Sequence, residues 1–168
     1  MHILTTKRLS LRTLELDDAA FYLQLVNDPS WITNIGDKGI RSIAAAQDAI
    51  LKNHIAIEQT MGFSLYVVER SSDQTALGLC GLVKRERFDD LDLGYALLPA
   101  YHGQGYAFEA ASGVLTYAKN SLGLPRLLGI TSLGNIISSR LLEKLGFTFQ
   151  SILLWKEDDE VRLYQRDL

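Results

Sequence analysis

The residues best able to do chemistry form one loop, Tyr101-His102-Gly103-Gln104-Gly105-Tyr106-Ala107, set between a strand-like run ending at Leu98-Pro99 and a helix-like run from Phe108. Two glycines two apart, just before a helix start, let backbone N–H groups approach an anion with no Cβ in the way. The helix dipole adds about 0.3–1 kcal/mol for each negative group held at that end. Such a loop holds phosphates. A nucleoside-triphosphate loop needs Gly-x-x-x-x-Gly-Lys-Ser/Thr, and no such lysine follows here. A dinucleotide loop needs a third glycine where this chain has Phe108, too large for close helix-to-strand contact.

What remains, His102-x-x-Gly105-x-Ala107, resembles the acyl-coenzyme A loop of the GNAT N-acetyltransferases, Arg/Gln-x-x-Gly-x-Gly/Ala, and departs from it at the first position. The run from Asn135 through Ser138 to Leu145-Gly146-Phe147 resembles the Asn-x-x-Ser helix and Leu-Gly-Phe exit of the same family. Thr6-Lys7-Arg8-Leu9-Ser10-Leu11-Arg12 resembles the opening strand of its RimJ/RimL-like branch, whose members acetylate protein N-termini or other amines. With Gly94-Tyr95 before the loop and Glu109-Ala110 after it, the motifs stand in order over most of the chain.

The resemblance implies an α+β fold, a mixed and mostly antiparallel sheet of about seven strands with about four helices, splayed between strands four and five to admit the coenzyme. It implies an N-acetyltransferase using acetyl-coenzyme A as co-substrate, no metal, and a primary amine acceptor attacking directly in a ternary complex. The acceptor is a protein N-terminal amine or a small-molecule amine. A noncatalytic acyl-coenzyme A sensor domain is the alternative reading, kept open by Leu142, which stands where many members carry a tyrosine acid. A nucleotide-binding protein is a third.

Amine acetylation needs an uncharged amine, donors for the developing oxyanion and a proton for the departing thiolate. Along the strand before the loop, Leu91, Leu93, Tyr95 and Leu97 form a bulky face, whereas Asp92, Gly94 and Ala96 form a face of small residues starting with a carboxylate. The second face is expected to line the cleft. Asp92 is the candidate general base and acceptor contact; otherwise it joins Asp89 and Asp90 in a solvated acidic turn. By the resemblance, backbone groups of Ala96, Leu97 and Leu98 meet the pantetheine arm, and an N–H near Leu97 faces the thioester oxygen.

Ser138 falls on one helix face with Leu142 and Leu145. It matches the serine that the branch sets at the coenzyme sulfur, or it bonds its own backbone. Asn135 caps that helix and also meets the coenzyme in the family. His102, Gly103, Gln104, Gly105, Tyr106 and Ala107 complete the expected coenzyme site, with Gln104 and Tyr106 contributing mainly N–H groups. The three histidines, His2, His54 and His102, show no metal-ligand spacing. Cys80, flanked by Leu79, Gly81 and Leu82, reads as a buried, inert thiol rather than an acyl carrier.

Positioning these residues takes alternating elements. Strands are expected around Leu9 and Leu11, at 63–69, 75–83, 91–98, 127–132, 147–155 and 161–166, and helices after an Asp17-Asp18 cap through Phe21, Tyr22, Leu25 and Val26 to a stop at Asn27-Asp28-Pro29, and at about 42–59, 107–122 and 136–145. The stretch 30–41 has no period and reads as a loop. By the family fold, 28–41 and the hairpin from Trp155 to Glu160 border the acceptor. Trp31 there either walls the acceptor site or fixes the loop to the core.

The 168 residues, 47% hydrophobic and 22% charged, suit a single domain over 1–168. No apolar run approaches the ~18 residues of a membrane span. The start, Met1-His2-Ile3-Leu4-Thr5, lacks the pattern of a secretory signal, so a cytoplasmic location is expected. One cysteine fits a reducing compartment. A formal charge of −3 without a basic block argues against nucleic acid as partner. Either a monomer or a homodimer is compatible with this composition.

Overall fold

The computed structural model describes residues 1–168. The chain opens on an antiparallel pair, β1 (His2–Thr5) and β2 (Leu9–Arg12). In β2 the alternation of Leu9 and Leu11 with Ser10 and Arg12 buries both leucines completely. β1 is absent from the sequence reading because it is short and half-exposed with no alternation to detect. It raises the sheet to eight strands.

α1 (Ala19–Val26) follows. The expected loop at 30–41 instead begins within α2 (Pro29–Asn34), where the Asp28 carboxylate accepts from the Ser30 N–H and Pro29 occupies the first turn. Six residues are too few for a helical period to show in sequence. α3 (Ile43–Ile50) is capped by Ser42 and passes through a π-helical stretch, Leu51–Ile55, into α4 (Ala56–Met61). Together they make the one long helix expected from Ser42.

β3 (Leu65–Arg70) and β4 (Thr75–Val83) form the expected hairpin, and β5 (Asp92–Leu97) pairs along β4. α5 (Tyr106–Asn120) then crosses the sheet on a stripe of Ala110, Ala111, Val114, Leu115 and Ala118. Its small residues let the helix lie close to the strands. β6 (Arg126–Ser132), α6 (Ile136–Lys144), β7 (Thr148–Lys156) and β8 (Asp159–Asp167) complete the chain.

The strand order is β1-β2-β3-β4-β5-β6-β8-β7, antiparallel throughout except at β5–β6. That pair is parallel and has a single register position, Asp92↔Leu128, with the Leu128 N–H donating to the Leu91 carbonyl at 2.9 Å. Past this rung the two strands separate, which places the splay between the fourth and fifth of the strands expected from sequence. One hydrophobic cluster fills the sheet face covered by α5 and α6, and a second lies under α1 to α3. No helix is long and apolar enough to cross a membrane.

Candidate active site

The loop after β5 is built by two left-handed glycines, Gly103 at φ +70° and Gly105 at φ +80°. L side chains avoid that region at a cost of about 1–2 kcal/mol, so both positions require glycine. Gly105 is the N-cap of α5 and provides no capping side chain. As a result, the N–H groups from Gly103 through Phe108 find no acceptor within the chain. Unpaired donors at a helix start are an anion site.

Side chains around the loop hold its shape. Gln104 Nε2 donates to the Ala100 carbonyl at 3.0 Å. The His102 ring is exposed and its Nε2 lies 2.8 Å from the Leu97 carbonyl oxygen. Tyr106 has more than an N–H to contribute: its ring is buried in the core, with the Arg8 guanidinium 4.4 Å from its centroid.

Arg8, quoted in sequence only as part of a strand motif, belongs to this loop. Its Nη1 donates to the Gln104 carbonyl at 3.1 Å, and its Nε bonds Glu109 Oε2 at 2.7 Å. Burial pushes the Glu109 carboxyl up, but hydrogen bonds from Thr6 and Arg8 outweigh it and leave the group below its ordinary range. Glu109 therefore stays ionised and anchors β2 to the loop.

Backbone direction in β5 sorts the expected coenzyme contacts. The Leu98 N–H donates to the Leu77 carbonyl at 2.8 Å. Alternation in an antiparallel ladder then turns Ala96 and Gly94 toward β4 as well, and turns Tyr95 and Leu97 toward the gap beside β6. Among the backbone groups named from sequence, Leu97 faces the gap, whereas Ala96 and Leu98 are committed to β4. Their amides are spent on the ladder.

Across the gap stands α6, capped by Asn135, whose Oδ1 accepts from the Ser138 N–H at 3.1 Å. Ser138 is buried, and its Oγ lies 2.7 Å from the Tyr95 hydroxyl. Burial raises the Tyr95 pKa, with the Ser138 contact opposing the shift. Sequence reading placed Tyr95 on the core face and missed this contact. The signal was available: a phenol among leucines must find a polar partner. Leu142 is buried against Gly129, where an added Cβ would come within 2.7 Å of the leucine side chain.

Asp92 lies at the start of β5 and is only 2% exposed, not in a solvated turn. Arg85 Nε donates to Asp92 Oδ2, while Oδ1 is buried with no partner. Burial raises the Asp92 pKa and the Arg85 charge opposes that rise. Gly94 and Ala96 on the same face are half-buried. Trp31 departs from the acceptor-wall reading: it is 6% exposed and packs in the cluster beneath α1 to α3. Cys80 is fully buried and its thiol is pushed up to about 12 by desolvation.

Residues 8–148 match the family model described as an acetyltransferase (GNAT) domain. The chain belongs to the GNAT acetyltransferase family. It is 30% identical to an N-acetyltransferase p20 of Bacillus licheniformis over 97% of this chain and 92% of that one. It is 29% identical to the protein YkkB of Bacillus subtilis (strain 168), over 97% and 94% of the two chains. Among solved structures it resembles the acetyltransferase of Agrobacterium tumefaciens str. C58, at TM-score 0.81 and 26% identity, covering 97% of this chain and 92% of that one. The acetyltransferase of Salmonella typhimurium that modifies the N-terminal serine of ribosomal protein L7/L12 superposes at TM-score 0.83, over 100% and 99% of the chains, with 18% identity. At that identity the likeness is one of fold.

As a GNAT enzyme this chain is an acetyl-coenzyme A-dependent acetyltransferase. The glycine loop follows the end of β5, and Tyr95 of the Tyr95–Ser138 pair lies within the same strand, past the single rung that joins it to β6. Asp92 sits farther along the same strand, roughly 17 Å from Leu97 at ~3.3 Å per residue.

Proposed function

We propose that this protein transfers the acetyl group of acetyl-coenzyme A to a primary amine, on a protein N-terminus or a small molecule, by direct attack in a ternary complex. The observation that carries the reading is the run of unpaired N–H groups from Gly103 to Phe108, opening onto the gap beside β6. Those groups fit a diphosphate, and Leu97 offers an N–H along the gap. When bound, the coenzyme supplies an activated acetyl thioester. The rest falls to the chain.

Asp92 Oδ1, buried and roughly 17 Å along the strand from Leu97 at ~3.3 Å per residue, takes the proton of the acceptor ammonium through a chain of waters rather than by contact. Burial favours this by raising the carboxyl toward the pKa of an amine. An α-amine, at ~8, loses its proton more readily than a lysine side chain at ~10.4. As the nitrogen bonds the acetyl carbon and the carbon–sulfur bond breaks, the Leu97 N–H is oriented to stabilise the oxyanion. Ser138 passes a proton to the thiolate and regains it from Tyr95, whose hydroxyl reprotonates from solvent.

In this reading the pairing stands in for the acid missing at Leu142, which weighs against a noncatalytic sensor. The L7/L12-modifying enzyme, which acts on an N-terminal serine, lends weight to an N-terminal acceptor. Thiol release from acetyl-coenzyme A with a panel of amines tests the reading. Coenzyme binding without acetylation of any amine overturns it.

A further inference from the structure

Beside Asp92, two segments of the chain meet. The β4–β5 loop contributes Arg85, Arg87 and Phe88, and the end of β7 contributes Trp155 and Lys156. The Phe88 and Trp155 rings stack at 6.4 Å with 21° between planes. The Arg85 and Arg87 guanidinium groups both lie over the Trp155 ring, 5.1 and 4.9 Å from its centroid. Arg87 Nη1 also donates to the Leu154 carbonyl at 3.1 Å, which locks the two segments together.

The charges here are poorly balanced. Arg85 uses Nε on Asp92, and its terminal nitrogens make no hydrogen bond within the chain. No carboxylate lies within ion-pair distance of Arg87, Lys38 or Lys156. Lys38 has its pKa lowered by desolvation first and then by repulsion from Arg85 and Lys156, so these cations share one neighbourhood. The acids of the same loop, Glu86 and Asp89, and of the adjoining turn, Glu157 to Glu160, are exposed and make no ion pair with these cations, and Asp90 pairs instead with Arg126 at 3.8 Å.

Cations without an ion-pair partner at this point have two effects on an amine acceptor. They disfavour a bare ammonium and lower that group's pKa, which leaves more of the nitrogen uncharged and able to attack. They also attract any acceptor that brings a negative group of its own. Resting on the transferase reading, we propose that the acceptor is an amine carrying a nearby carboxylate or phosphate, held by Arg85, Arg87 and Lys38 beside the Trp155 ring. An extended polyanion does not fit, because the patch is confined and the chain's formal charge is −3.

The test is a comparison of kcat/KM for matched acceptors. Ala-Asp-amide against Ala-Asn-amide and Ala-Lys-amide represents N-terminal peptides; phosphoethanolamine against ethanolamine represents small molecules. At least one anionic member should exceed its neutral partner about tenfold, the size of one good charge contact. Which set shows the gap distinguishes peptide from small-molecule acceptors. In Lys38→Gln and Arg87→Gln, both exposed positions, the gap should shrink to about threefold or less, and salt should narrow it in the wild type. Equal or better use of neutral or cationic acceptors, or a gap untouched by both substitutions, overturns the proposal. Calorimetry with coenzyme A separates the two readings, since failure to bind it sinks the transferase itself. If coenzyme binds but nothing turns over, calorimetric titration of the loaded protein with the same acceptors decides: tighter binding of the anionic member supports the charge preference, and equal or absent binding overturns it.

Discussion

The Tyr95 hydroxyl and the Ser138 Oγ, 43 residues apart in sequence, meet at 2.7 Å across the gap between β5 and α6. Neither hydroxyl has another side-chain partner, although the Tyr95 oxygen also lies 3.3 Å from the Ser138 carbonyl. If they relay one proton, their effects overlap. Ser138→Ala and Tyr95→Phe should each lower kcat about 10²-fold, and the double variant should lose little more. The KM for acetyl-coenzyme A should stay nearly constant. Multiplicative losses in the double variant would show two independent roles.

Asp92→Asn keeps the shape of the side chain but removes its basicity. We expect kcat to fall by about 10²-fold near pH 7 while coenzyme affinity, measured by calorimetry, is unchanged. Activity should recover partly as pH rises and more of the acceptor is uncharged in solution. A variant with wild-type turnover would show that the buried carboxylate serves only to hold Arg85.

At Gly103 an added Cβ meets nothing within 4 Å, so Gly103→Ala isolates the backbone effect. Its left-handed conformation costs alanine about 1–2 kcal/mol. The loop should relax away from the bound-ready shape, weakening coenzyme A roughly tenfold with little change in the melting temperature of the free protein. Calorimetric Kd values check this. Unaltered affinity would place the diphosphate elsewhere.

His54 is 8% exposed, with Nε2 3.2 Å from the Tyr22 hydroxyl and Nδ1 unpaired. Burial, and then the Lys38 charge, lower its pKa from 6.5 to about 4. The unfolded chain thus takes up this proton first. Stability should be full above pH 6.5 and drain as pH falls toward 4, by about 3 kcal/mol in all. Urea midpoints across that window should follow this slope in the wild type and be flatter in His54→Gln.

The parts of this molecule legible in sequence are those set by near neighbours. The glycine loop, the apolar stripe of α5, the β3–β4 hairpin and the Gly146 stop each depend on a few consecutive residues. The Asn135 cap is equally local. What escaped depends on partners distant in sequence. Arg8 reaches Glu109 from 101 residues away, and Arg87 reaches Leu154 from 67. Arg85 sits in a loop without period, so nothing in its surroundings announces that it covers Asp92. Trp31 could not be assigned inward or outward until α2 fixed which way it faced.

The sheet is continuous on either side of β5–β6 but joined there by one rung. A coenzyme lying in that gap becomes a structural member as well as a reactant, tying two otherwise loosely coupled halves. Amide hydrogens of 127–130 in β6 should therefore exchange more slowly once it is bound, even though they lie apart from the glycine loop. The abundance of its own substrate would then govern how rigid, and how resistant to proteolysis, this protein is.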